Sequence, residues 1–417
     1  MSGSTCNPER PPGHLCLVKI ILFAGLATTV FALFMGLCPI RAQAIGRFPI
    51  TFHDTAAVQA RLILSQRGEV YFRFPVQPPR LVSQLTRTLS IDKIKGDFVY
   101  AYANERQFTG FLSHGISWEL LPPPSSGHYL KSETLQGDPV AWDRYPSYGE
   151  YIDRMHSLAD SFPGICRIDT IGYSVFNRLI LAAGISGNSS FGTGKPLFLY
   201  TSSIHGDETT GYMLLLRLID YLLHGYGKDS LITKLADRLE IWINPLANPD
   251  GTYFLGDAGV YMATRFNHNG IDLNRNFPDP AEGQHPDGQP WQPETLAMME
   301  FMKKYHPDMS ANLHSGTEVV NYPWDSWTQW HADDNWFRMV SMSYADTVIA
   351  SSTGYFLQFE NGITRGADWY RITGGRQDFV TYFLHGREIT IELSLEKLPP
   401  AYELPVLWGY NRKALLH

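Results

Sequence analysis

From Ile45 to Leu121 apolar and polar residues exchange every few positions, in short blocks of two different periods. Glu69-Val-Tyr-Phe-Arg-Phe-Pro75 alternates with the period of a strand, and Phe98-Val-Tyr-Ala-Tyr102 and Ile116 to Leu121 form two further strand-like runs. Pro79 to Leu89 and Glu105 to Ser113 have helical spacing. The pattern predicts a small β-α-β-α-β unit over residues 45–121, with its sheet covered on one side. A Pro/Ser/Gly-rich stretch, Pro122 to Asp138, then predicts a linker over 122–142 that is open to proteolysis. From residue 143 the blocks lengthen. Pro146 to Phe162 is an amphipathic helix, Cys166 to Ile171 and Leu179 to Ile185 are strands, and Pro196 to Tyr200 is an apolar run that reads as a buried strand. Thr210 to Leu223 follows as an apolar-periodic helix, and Pro307 to Leu313 is another strand. This predicts an α/β fold in residues 143–417, a mixed and largely parallel central sheet flanked by helices.

The start of the chain departs from this pattern. Arg10 and Lys19 precede an apolar run from Ile20 to Leu37, and Ala42-Gln-Ala44 supplies small residues around a cleavage point. Residues 1–44 therefore read as a signal peptide for export, making the protein secreted, extracellular or periplasmic. An uncleaved anchor is the alternative, and only then would a membrane be a partner. Cleavage removes Cys6, Cys16 and Cys38 and leaves Cys166 alone, so the mature chain has no intramolecular disulfide. With 417 residues, 44% of them hydrophobic, the chain can bury a sizeable core. Its net charge of -7 offers no general basic field, which argues against nucleic acid as a partner.

Candidate chemistry begins at His205 and Glu208. An H-x-x-E spacing alone is weak, because among 14 histidines about one such match arises by chance. Its position strengthens it: the pair lies at a predicted strand-to-helix turn, where ligands gather in parallel α/β sheets. His314 ends the later strand run in the same way. Imidazole and carboxylate together suit a metal that keeps one position open, whereas closed structural zinc sites use cysteine.

Eight ordered segments carry a resemblance. They are His205-Gly-Asp-Glu208, Asn244-Pro-Leu-Ala-Asn-Pro-Asp-Gly251, Gly270-Ile-Asp-Leu-Asn-Arg-Asn-Phe-Pro-Asp279, Ala311-Asn-Leu-His-Ser315, Asn321-Tyr-Pro-Trp-Asp325, Gly362-Ile-Thr-Arg-Gly-Ala-Asp-Trp-Tyr370, Gly374-Gly-Arg-Gln-Asp378 and Glu388-Ile-Thr-Ile-Glu-Leu-Ser394. Together they resemble the zinc metallocarboxypeptidase family, and within it the regulatory, basic-residue-specific (E/M/D/N-like) subgroup. The resemblance implies one Zn²⁺ per chain, bound by His205, Glu208 and His314, and a zinc exopeptidase acting on peptides or proteins with a free C-terminus. Glu392 matches the general base that takes a proton from the zinc-activated water and passes it to the leaving amine. Taken alone it would read as a surface carboxylate, but Ile389, Ile391, Leu393 and Leu395 surround it in sequence. Asn274 and Arg275 match the pair that holds the substrate carboxylate, a task suited to a guanidinium. Arg265 matches the arginine that stabilises the oxyanion, and Tyr370 the tyrosine that closes over bound peptide. Asp325 and Gln377 match the pocket for a terminal Lys or Arg, although Asp325 after Pro323-Trp324 also fits a plain turn residue.

Two other readings stay open: a zinc amidohydrolase acting on cell-wall peptides, and a peptide-binding relative without turnover. Asp207 and Ser315 differ from the residues common in the subgroup. Members of the subgroup carry a terminal helix and then a transthyretin-like β-sandwich, whereas this sequence stops within that helix, at Trp408 to His417. Residues 45–121 are compatible with an inhibitory pro-segment.

Overall fold

The computed structural model describes residues 52–76, 84–126, 142–189 and 191–417. The predicted signal segment, most of the linker and the first part of the predicted helix Pro79 to Leu89 lie outside them.

The larger sheet has eight strands: β5 (Cys166–Tyr173), β6 (Leu179–Ile185), β7 (Leu197–Ser202), β8 (Glu240–Asn244), β9 (Met309–His314), β10 (Thr317–Tyr322), β11 (Ile363–Arg365) and β12 (Arg387–Ser394). Their order is β11-β10-β12-β9-β7-β8-β6-β5. The four central strands β12, β9, β7 and β8 are mutually parallel, and antiparallel strands occur only toward the edges. The mixed, centrally parallel sheet expected from the apolar runs is therefore present. The helix Thr210–Gly225 lies against it with 11 of its 16 residues buried, including Leu214, Leu215, Leu216, Leu218 and Ile219. A side chain of this kind contributes about 1.5–3 kcal/mol when fully buried, and so broad an apolar face suits a position between sheet and outer helices. One of those outer helices, Tyr148–Ser161, starts with a reciprocal cap in which Ser147 accepts from the Glu150 N–H and Glu150 accepts from the Ser147 N–H. The last helix, Leu404–Asn411, buries Leu407 and Trp408, and Tyr200 donates to the Leu415 carbonyl (2.7 Å).

The small N-terminal unit differs from the expected β-α-β-α-β order. It has four strands, β1 (Val70–Pro75), β2 (Ser90–Lys95), β3 (Phe98–Ala103) and β4 (Glu119–Leu121), in the order β2-β3-β1-β4 and all antiparallel. A helix, Phe52–Arg67, precedes them. Strand β2 and that helix were absent from the sequence reading. Val70, Phe72, Phe74, Ile91, Val99 and Ala101 face the helices, where they pack on Leu64, Phe108 and Phe111. Strand alternation turns Tyr71, Ser90, Asp92 and Tyr102 to the opposite face. Toward one edge of that face Arg73 and Glu119 meet solvent. The face is closed by the larger unit where Tyr71 and Tyr102 pack on Phe266.

Candidate active site

The site lies at the carboxyl ends of the central parallel strands. His314 is the last residue of β9 and pairs in register with Glu392 of β12. His205 and Glu208 lie in the turn that leads from β7 into the Thr210–Gly225 helix. Gly206 allows this turn, because a Cβ there would overlap the backbone of Gly251 and Thr252. Ser203, at φ 53°, donates its hydroxyl to the Glu208 carbonyl (2.8 Å) and so fixes the same turn from inside.

His205, Glu208 and His314 are buried and offer ligand atoms within 4.8 Å of one another. Nδ1 of His205 is 3.1 Å from Glu208 Oε1, and Nδ1 of His314 is 2.8 Å from Glu208 Oε2. The far nitrogens are held elsewhere: Nε2 of His205 contacts Asp272 (3.1 Å) and Nε2 of His314 contacts the Asn312 amide (2.8 Å). Nδ1 of His205 is buried without a hydrogen-bond partner. An imidazole nitrogen left bare beside a carboxylate, on a ring oriented from behind, fits a zinc ligand. Burial works against charge on Glu208, but His205, Lys397 and His314 hold its carboxyl well below the usual carboxylate range. Glu392 moves the other way, pushed well above that range by burial and by the charge of Glu208.

The remaining predicted residues converge on the same place, and all except Gln377 line one cavity with the three ligand candidates. Arg265 is buried; its Nη1 donates to Glu208 Oε1 (3.2 Å) and its Nε to Ser90 Oγ (2.6 Å) and Asp272 Oδ2 (3.2 Å). Arg275 donates to the Asn274 carbonyl (2.8 Å) and the Ile91 carbonyl (3.5 Å). Asn274 Oδ1 accepts from the Arg376 N–H (2.9 Å), and the Tyr370 hydroxyl donates to the Asp92 carbonyl (3.4 Å). Asp325 is buried at the far wall, where Gln377 joins it through a 3.0 Å hydrogen bond to Oδ1. Burial, and then the neighbouring Asp378, push the Asp325 carboxyl well up.

Sequence reasoning missed four polar residues here. Asp272 orients His205 and Arg265, and its position two residues before Asn274, inside a quoted segment, could have pointed to it. Lys397 is buried with its Nζ 2.5 Å from Glu208 Oε1 and 2.8 Å from Asp92 Oδ1. Ser90 and Asp92 come from β2. Their only signal is charge and hydroxyl on one face of an unrecognised strand.

Residues 151–414 match the family model for zinc carboxypeptidases. The chain belongs to the zinc carboxypeptidase family. It is 38% identical to human carboxypeptidase D over 312 residues, 71% of this chain and 22% of that protein. It is also 38% identical to mouse carboxypeptidase M over 278 residues, 63% of this chain and 62% of that protein. The chain thus spans about a fifth of the length of carboxypeptidase D. Among solved structures it resembles carboxypeptidase A from Helicoverpa armigera, with a TM-score of 0.65 at 17% identity over 84% of this chain and 96% of that one. Thrombin activatable fibrinolysis inhibitor gives a TM-score of 0.64 at 17% identity, over 84% of this chain and 97% of that one. Both likenesses are of fold, and both cover more of the chain than residues 143–417. A zinc ion is the cofactor of this family, and the donor set of His205, Glu208 and His314 is compatible with it.

Proposed function

We propose that this chain hydrolyses the C-terminal peptide bond of peptides or proteins and releases Lys or Arg. The observation that carries this is the meeting of the His205-Glu208-His314 cluster, Arg275 and buried Asp325 around one cavity. When bound, zinc supplies a Lewis acid and lowers the pKa of water. Glu392 takes a proton from the attacking water and gives it to the leaving amine, a role supported by its pairing in register with His314. The Arg265 guanidinium supplies donors for the developing oxyanion. Asn274 and Arg275 bind the terminal carboxylate, Tyr370 closes over the peptide, and Asp325 with Gln377 receives a cationic side chain that offsets the cost of a buried carboxylate. The test is metal content together with release of arginine from hippuryl-arginine. A zinc-replete chain that spares every peptide ending in Lys or Arg, yet cleaves muropeptides, would replace this reading with a cell-wall amidohydrolase.

We also infer that residues 1–44 export the protein, a reading supported by their sequence pattern alone; amino-terminal sequencing of the exported form tests it. The N-terminal unit is inferred to keep the site latent. Three successive residues of β2 engage the groups assigned to substrate: Ser90 with Arg265, Ile91 with Arg275, and Asp92 with Tyr370. Asp92 also lines the cavity shared by the ligand candidates, Arg275 and Tyr370, so β2 stands where a terminal residue would bind.

A further inference from the structure

The carboxylate assigned to specificity stands on a loop with no ladder to hold it. Asp325 and Ser326 follow the end of β10, and neither backbone N–H has a partner within a strand or helix. Both donate instead to one side chain: Asp378 accepts from the Asp325 N–H (3.0 Å), the Ser326 N–H (2.9 Å) and the Ser326 hydroxyl (2.6 Å). Asp378 is buried in the first turn of the helix Arg376–Phe383, and its neighbour Gln377 makes the bond to Asp325 described above. One helical turn therefore grips both the backbone of the loop and the carboxylate it presents.

The result is a pocket of acceptors. Asp325 Oδ1 already accepts from Asn321 (3.1 Å) and Gln377 (3.0 Å), and the carbonyl oxygens of those two amides, Asn321 Oδ1 and Gln377 Oε1, are buried without partners. A ligand that enters must bring several N–H donors, which a guanidinium or an ammonium does. Opposite stands Gly366, where any Cβ would overlap the Asp325 carboxylate. The carboxylate is confined from one side and held from the other.

We infer that Asp378 is the positioning residue of this pocket: it touches no substrate and sets basic selectivity by fixing where Asp325 points. The inference rests on the Lys/Arg reading above. Asp378 acts on binding of the terminal side chain and not on proton transfer, so its loss separates KM from kcat and basic from neutral substrates. The experiment compares hippuryl-arginine with hippuryl-phenylalanine for the zinc-loaded wild type, Asp378→Asn and Ser326→Ala. Asp378→Asn keeps its zinc, loses about tenfold or more in kcat/KM on the arginine substrate through KM, and changes little on the phenylalanine substrate. Ser326→Ala removes one bond of three and leaves both amides bound, so it folds if Asp378→Asn does not; it raises KM for the arginine substrate alone, by about two- to fivefold. A basic-selective wild type whose two variants keep the same selectivity overturns the role of Asp378 and leaves the specificity reading standing. A wild type indifferent to the terminal residue overturns both. A variant that loses rate equally on both substrates assigns Asp378 to general stability and also overturns the inference.

Discussion

Charge converges on Glu208 more than on any other residue of the cavity. Two imidazoles, Arg265 and Lys397 all approach its oxygens within 3.2 Å. In the proposed mechanism Glu208 holds the metal whereas Glu392 moves a proton, and substitution separates the two. Glu208→Gln is expected to lower zinc content measured by atomic emission, and with it all turnover. Glu392→Gln is expected to keep zinc and lose about 10²–10⁴ in kcat; a metal-loaded Glu392→Gln protein with near-normal rate would remove Glu392 from the chemistry. Asp325 and Asp378 make a second residue-scale case. Burial is the main cause that raises both carboxyls, Asp378 to about 6, although hydrogen bonds from Asp325 and Ser326 draw Asp378 back down. A raised folded-state value means that protonation favours the fold: the associated stability is present below the unfolded value and lost as pH rises through about 6. Basic selectivity follows the opposite course, because a protonated pair attracts a cation less. The ratio of kcat/KM for hippuryl-arginine over hippuryl-phenylalanine is therefore expected to fall as pH drops from about 7 to about 5. A ratio flat across that window would show that the pair does not change its charge there and would overturn the expectation.

At the scale of elements, the helix that carries Gln377 and Asp378 is fastened to the sheet by a buried ion pair. Arg376 and Glu388 are both fully buried, and the guanidinium meets the carboxylate with two bonds of 2.9 and 2.8 Å. Ser310 donates to the same carboxylate and the Thr201 hydroxyl meets Arg376, so four elements share one network. Removing one partner leaves an uncompensated buried charge: Arg376→Ala is expected to cost about 3–5 kcal/mol, read as a fall in the denaturant midpoint. Replacing both partners by apolar residues of similar volume costs less, and equal losses would place the cost in packing alone. The same elements show what the sequence makes legible. The helix Thr210–Gly225 and strand β7 are legible because burial demands long apolar stretches, Met213 to Leu216 in the one and Leu197 to Tyr200 in the other. Strand β2, Ser90-Ile-Asp-Lys-Ile-Lys95, was not: Ser90 and Asp92 face a buried polar interface, and a polar face reads as surface when its partner is not visible. Lys397 escaped for the same reason, since its partners Asp92 and Glu208 lie some hundreds of residues away. His205 and Glu208, by contrast, stand in a strand-to-helix turn that periodicity places, and His314 ends a strand run.

At the scale of the whole molecule, the two sheets belong to one compact unit, Ile50–His417, and the contact between them is polar where it meets the site. Buried Glu69 accepts from the N–H groups of Arg265 and Phe266 (3.2 and 3.1 Å), Tyr102 donates to Asp207 (2.7 Å), and Asp92 pairs with Lys397. Each of these buried bonds would be exchanged for water if the N-terminal unit left, and the net contribution of such an exchange is modest because desolvation offsets much of the attraction within a buried pair. An interface of this kind holds while the units share one chain, because the effective concentration is high, and weakens once they are cut apart. Cleavage at a protease site introduced into residues 127–138 is therefore expected to raise hydrolysis of hippuryl-arginine about tenfold or more, with the larger fragment keeping its zinc. Asp92→Ala in the uncut chain removes one of the two carboxylate partners of Lys397 but leaves the Ile91 and Asp92 carbonyls on Arg275 and Tyr370, so it is expected to raise the rate by less. The order of the two effects is the discriminating result. If cutting leaves the rate unchanged, or lowers it while the fragments stay folded, β2 is a working wall of the active site and the latency reading fails.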